Sequence, residues 1–130
     1  MPSSVTILSK NLLKLTRLKL SIISSINTEN YDLLSTTSVS FIKEAQKALS
    51  TFMKYEINNK YGIITYLYFE VKELKQIMFK ILLLVVSLIT KINNILLKDT
   101  NITRINRDRY LEGERQLSYL RDNYTYILRK

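Results

Sequence analysis

A bundle of four α-helices is the fold class this sequence predicts, and three observations predict it. The 130 residues are 46% hydrophobic and 24% charged, enough for one core and too few for two. Two glycines, Gly62 and Gly113, and a single proline at position 2 leave almost no punctuation for turns, which favours long uninterrupted helices over a sheet. Apolar residues recur at alternating spacings of three and four through four successive segments, the period that gives a helix one buried stripe. The expected architecture is all-α: a four-helix bundle with one long central helix, forming a single helical domain over residues 1–130 with short connections between antiparallel neighbours.

The first helix is expected over 5–26. Leu8, Leu12, Leu15, Ile22 and Ile26 share one side, and Lys10, Lys14 and Arg17 fall on the other. Asn27 to Asn30 interrupts it. The string Ser35-Thr36-Thr37-Ser38 then supplies hydroxyls able to accept the free N–H groups of a helix start, so a second helix is expected over 37–57. Its stripe is Phe41/Ile42, Ala45, Ala48/Leu49, Phe52 and Met53, with the alanines small enough for another helix to approach closely. It should fray near Asn58-Asn59, and Gly62 is the natural C-terminal punctuation.

The third segment, 63–98, carries the strongest periodicity. Leu67, Val71, Leu74, Met78, Ile81, Val85, Leu88, Ile92 and Ile95 alternate spacings of four and three without a break. Between Ile81 and Ile89 the other faces are apolar too, through Leu82, Leu83, Leu84 and Val86, so the middle must be covered from several sides. Residues 63–71 (IITYLYFEV) also have the β-branched and aromatic content of a strand, but a lone strand has no partner here. The uncharged run from Ile81 to Thr90 spans only about 15 Å of helix against roughly 30 Å of bilayer hydrocarbon, so no transmembrane segment is expected. After the turn-prone Asp99-Thr100-Asn101, a fourth helix over 103–128 carries Tyr110, Gly113, Leu117, Leu120, Tyr124 and Ile127 on one side.

Composition removes much chemistry. Without Cys or His there is no disulfide, thiol nucleophile, imidazole base or ordinary zinc site. Two glycines cannot build a phosphate-cradling loop or a dinucleotide fingerprint. Glu70 and Glu73 share a helix face, but a carboxylate pair without a metal or further acid is weak material for acid–base catalysis. No enzyme activity, cofactor, metal or small-molecule substrate is expected.

The formal charge of +9 points to acidic company, and the excess is spread over all four segments. Six of the seven arginines lie beyond residue 100, and Arg104, Arg107, Arg115 and Arg121 fall on the side of the fourth helix away from its apolar stripe. They could grip phosphates or carboxylates, or form a solvated face paired with the interleaved Asp108, Glu112, Glu114 and Asp122. Lys10, Lys14 and Arg17 lack acidic neighbours and are the better candidates for contact with nucleic acid or an acidic protein. A first helix of this kind could also lie on anionic lipid. The aromatic cluster gives Tyr66, Tyr68 and Phe69, which with Leu82, Leu83 and Val86 form the candidate subunit interface. Residues 1–28 have the basic, Ser/Thr-rich, acid-poor style of an organelle transit peptide, and the same pattern continues naturally into a mature helix of a cytoplasmic protein.

The order of features resembles the helical domain of GINS subunits, the replication factors of archaea and eukaryotes. Leu33-Leu34, a Ser/Thr spacer and Phe41-Ile42 resemble the opening of that domain. Glu70, Glu73-Leu74 and Ile81-Leu82-Leu83, running to Lys91-Ile92, resemble its central helix. Asn101-Ile102-Thr103, Tyr110-Leu111, Leu117 and Tyr124 resemble its closing helix, so the similarity covers roughly residues 30–128. Where the family usually has an Arg shortly before the Lys-Ile pair, this chain has Leu88, Ile89 and Thr90, and it has no room for the small β-rich domain most members carry. The resemblance implies an archaeal-type, helical-domain-only scaffold subunit without catalysis, at the nucleoid or replisome, assembling through its long helices into a tetramer that joins the MCM helicase to a RecJ-like partner. The runner-up expectation is a small basic nucleic-acid-binding helical protein, of viral coat or chromatin-like type.

Overall fold

The computed structural model describes residues 4–59 and 65–128, which form four helices and, among the described residues, no strand. They are α1 (Ser4–Asn27), α2 (Tyr31–Asn59), α3 (Thr65–Leu96) and α4 (Arg104–Leu128). The all-α bundle expected from periodicity is the observed fold, with α3 its longest helix at 32 residues. The strand weighed for residues 63–71 is helix from Thr65 onward. Residues 63 and 64 and the punctuating Gly62 lie outside the described residues.

Each helix boundary has a local cause. At the end of α1 the N–H of Asn30 reaches Ser25 O at 2.9 Å and that of Glu29 reaches Ile26 O at 3.1 Å, while Glu29 adopts a left-handed φ of 55°. This is the paired closure that satisfies the last carbonyls of a helix, here built on a glutamate where glycine is usual. Asn30 then caps α2, its Oδ1 accepting the Leu33 N–H at 3.2 Å. The second helix therefore starts at Tyr31, six residues before the expected 37. The hydroxyls of Thr36 and Ser38 are not caps. They donate to carbonyls four residues back, Asp32 O at 3.1 Å and Leu34 O at 2.7 Å, and so ride inside the helix. Thr103 caps α4 by accepting the Asn106 N–H at 3.2 Å, after a turn in which Asp99 Oδ1 accepts the N–H of Asn101 at 2.9 Å.

Short turns make α1/α2 and α3/α4 antiparallel hairpins. Phe52, near the end of α2, meets Lys75, near the start of α3, with the ammonium 5.9 Å from the ring centre. The chain therefore re-enters at the end where α2 finishes, and α3 runs parallel to α1. Around the bundle the order is α1, α2, α4, α3, not the order of the chain. Sequential α2 and α3 occupy diagonal corners and touch only slightly, and among the described residues α1 and α4 do not approach each other.

The core is one cluster fed by all four helices: Leu8, Leu15 and Ile22 from α1, Phe41, Ala45, Ala48 and Phe52 from α2, Val71, Met78, Leu82 and Val85 from α3, and Leu117, Leu120, Tyr124 and Ile127 from α4. Burying side chains of the size of Phe52 or Leu15 contributes about 1.5–3 kcal/mol each. The expected stripes of α1 and α4 are the observed ones. On α2 the stripe continues back through Leu34, and Met53, expected inside, is 53% exposed.

The register of α3 differs from expectation. Its buried line is Val71, Lys75, Met78, Leu82, Val85, Ile89 and Asn93, with Val86 alongside. Leu74, Ile81 and Ile92 are half-buried at the flank, and Ile95 is 61% exposed. Two polar residues drive this turn of the helix. Asn93 is buried because its Nδ2 donates to Tyr110 O at 3.0 Å and to Glu114 Oε2 at 3.2 Å, and Lys75 is buried against the Phe52 face. A polar group with a partner costs little to bury, so the face containing these two can point inward.

Candidate functional site

The basic residues singled out in sequence do not form one surface. Lys10, Lys14 and Arg17 are exposed on the outer side of α1, whereas Arg104, Arg107, Arg115 and Arg121 lie on α4, at the diagonal corner. The two sets also differ in electrostatic state. Arg115 forks onto Glu112, Nε to Oε2 at 2.9 Å and Nη2 to Oε1 at 2.5 Å, while Gln116 Nε2 donates to the same Oε1 at 2.9 Å. The hydrogen bond from Arg115, and then that from Gln116, holds the Glu112 carboxyl down to about 2, and the guanidinium pKa is raised in return. Arg121 lies 3.5 Å from Asp122. These two arginines belong to a locally paired, solvated face, the second of the two readings the sequence allowed. Arg104 and Arg107 are exposed and make no ion pair among the described residues.

Lys10, Lys14 and Arg17 likewise make no ion pair among the described residues, and α1 contains no acidic residue with which they could pair locally. Beside them on the outer side of α1 stand Leu13 and Leu20, 51% and 57% exposed. In the sequence these two leucines are hidden by the stronger inward stripe of Leu8, Leu12, Leu15, Ile22 and Ile26.

The candidate subunit interface is redrawn. Leu82 and Val86 are 1% and 6% exposed and belong to the chain's own core, because the inward face of α3 is the one containing Lys75 and Asn93. Leu83 remains 40% exposed. The side chains of Tyr66, Tyr68 and Phe69 lie outside the described residues. The apolar surface that α3 offers runs instead through Ile77, Leu84 and Ile95, 41%, 42% and 61% exposed, spaced seven and eleven apart on one line of the helix. Asn93, which reaches α4, belongs to the inward line; at the edge away from it Leu74, Ile81 and Ile92 are half-buried, and the Ile77, Leu84 and Ile95 line lies one step further out, on the outer side of α3 displaced toward α1.

α3 also contains a stretch, Glu70–Leu96, of 27 residues, long and apolar enough by length and composition to cross a membrane. It exceeds the ten-residue run between Lys80 and Lys91 because it takes in those two lysines and, toward its start, Glu70, Lys72, Glu73 and Lys75. Within the bundle 33% of its apolar window is buried, and the core helix of a water-soluble bundle has the same character. Glu70 and Glu73 are both exposed at the start of α3, and among the described residues no three His, Cys, Asp or Glu side chains converge on a metal site. No protein-family model, curated protein or solved structure matches this chain.

Proposed function

We propose that the chain is a non-catalytic scaffold subunit of a DNA-associated, GINS-like replication assembly, acting through helix-to-helix contacts with other protein subunits. One observation carries this reading: α3 buries a complete line of side chains in its own bundle and still leaves Ile77, Leu84 and Ile95 uncovered on a second line. A lone bundle gains nothing from a second apolar line, whereas a subunit uses it to bury surface at about 25 cal/mol per Å² against the cost of association. The helix order along residues 30–128 supports the GINS-like part of the reading through the resemblance described above, and the lack of Cys and His favours assembly over catalysis.

The test is recovery of the tagged chain from its native cells after nuclease treatment, at about 0.15 M salt. A stoichiometric protein partner is the expected result, and a monodisperse monomer by light scattering at every concentration overturns the reading. Lys10, Lys14 and Arg17, without an ion pair among the described residues, favour a second reading, direct binding of nucleic acid. In that case affinity for DNA falls steeply with salt and collapses when the three charges are reversed.

A further inference from the structure

We infer that the face shared by α1 and α3 is the docking site for an acidic amphipathic helix of a partner protein, an inference that rests on the assembly reading above. α1 and α3 are parallel neighbours. Leu13 and Leu20 stand on the outer side of α1, displaced away from the flank where Asn11 reaches Glu44 on α2, and hence toward α3. Ile77, Leu84 and Ile95 stand on the outer side of α3, next to the half-buried Leu74, Ile81 and Ile92 at the edge away from Asn93 and α4, and hence displaced toward α1. The two sets of apolar side chains therefore border one furrow. Its length from Ile77 to Ile95 is about 27 Å, which matches about 18 residues of an added helix.

Charge identifies the occupant. On the α1 side the furrow is rimmed by Lys10 and Arg17, which adjoin Leu13 and Leu20, and on the α3 side by Lys80 and Lys91, all exposed and without an ion pair among the described residues. The acids of α3, Glu70 and Glu73, are confined to its first three turns. An apolar centre with basic rims fits a helix with a leucine-type stripe flanked by carboxylates. A second copy of this chain does not fit, because both rims are basic and a symmetric contact would set one basic rim against another.

The experiment uses two labelled peptides of about 20 residues with the same leucine stripe, one with glutamate at its other positions and one with lysine, titrated against the full chain. Phosphatidylcholine–phosphatidylserine vesicles form a third arm. The glutamate peptide should bind saturably, and Leu84→Asp and Arg17→Glu should each weaken it about tenfold. Leu83→Asp, equally exposed on α3 but on its other flank, should leave it within about twofold and serves as the folding control. Equal binding of both peptides, equal effects of Leu84→Asp and Leu83→Asp, or Leu84-dependent binding to vesicles without binding of the glutamate peptide overturns the proposal. A chain that still recovers its native partner when carrying Leu84→Asp overturns this face alone. A chain that recovers no partner overturns the assembly reading itself.

Discussion

Tyr124 of α4 donates its phenolic hydroxyl to the backbone carbonyl of Ala45 in α2 at 3.0 Å, across 79 positions of sequence. The bond forms because the methyl side chain of Ala45 is too small to hold α4 away, and the Tyr124 ring then meets Phe52 edge-on, 6.0 Å between centres at 84°. It locks the longitudinal register of α4 on α2, two helices the chain does not connect directly.

Tyr124→Phe keeps the ring contact and removes the hydroxyl, so it should cost about 1 kcal/mol near neutral pH. Burial pushes the Tyr124 phenol well above its ordinary value. The unfolded chain therefore loses this proton near pH 10 while the folded chain retains it, so the wild type loses stability as pH rises above about 10. Tyr124→Phe lacks this group, and the gap between the two proteins in urea midpoint should shrink between pH 8 and pH 11. A gap that stays constant would show that the phenol is not protected by folding.

Asn11 and Glu44 form the corresponding contact between α1 and α2, with Nδ2 donating to Oε1 at 2.7 Å while Asn11 Oδ1 is buried without a partner. Removing either side chain alone strands the other, so Asn11→Leu and Glu44→Met should each cost about 1–3 kcal/mol. The double replacement should recover most of that loss, because an apolar pair of similar volume has nothing left to desolvate. Urea unfolding of the four proteins measures the coupling, and purely additive losses would contradict a direct interaction.

Leu82 and Leu83 are adjacent in sequence and opposite in environment. Leu82→Ala should destabilise by about 2–5 kcal/mol through the cavity it leaves, and Leu83→Ala should stay within about 0.5 kcal/mol. Thermal melts of the two variants check the register of α3, and similar losses would mean that the helix is rotated.

Two backbone positions carry the wrong residue for stability. A Cβ at Gly113 would meet nothing within 4 Å, so Gly113→Ala should stabilise α4 by about 0.5–1 kcal/mol through chain entropy. Glu29, with its φ of 55°, sits where glycine is free of strain, so Glu29→Gly should gain a similar amount, about 0.5–1 kcal/mol. Calorimetric melting of both variants tests the pair.

The class of fold was legible because helical periodicity survives in each segment: Leu8, Leu15 and Ile22 are buried as their spacing requires, as are Leu117, Tyr124 and Ile127. The start of α2 was not legible, because Thr36 and Ser38 resemble caps until their hydroxyls are seen bonding back along the helix. The inward face of α3 was hidden for a related reason. Lys75 and Asn93 look like surface residues, and their partners Phe52, Tyr110 and Glu114 lie on other helices. The ring order of the helices, which separates the α1 charges from the α4 arginines, depends on contacts that no local pattern encodes. The candidate surface was accordingly half-readable: Lys10, Lys14 and Arg17 were identified from sequence, whereas Ile77, Leu84 and Ile95 required the register.

The chain has no cysteine, so single cysteines report accessibility without background. The direct measurement is the rate of thiol labelling at Leu82→Cys, Leu83→Cys and Leu84→Cys, in the isolated chain and in the complex recovered from native cells. In the isolated chain the thiols at 83 and 84 should react quickly and the one at 82 slowly, and in the complex only the thiol at 84 should become protected. A thiol at 84 that stays as reactive in the recovered material as in the isolated chain would contradict the assembly role of the α1–α3 face.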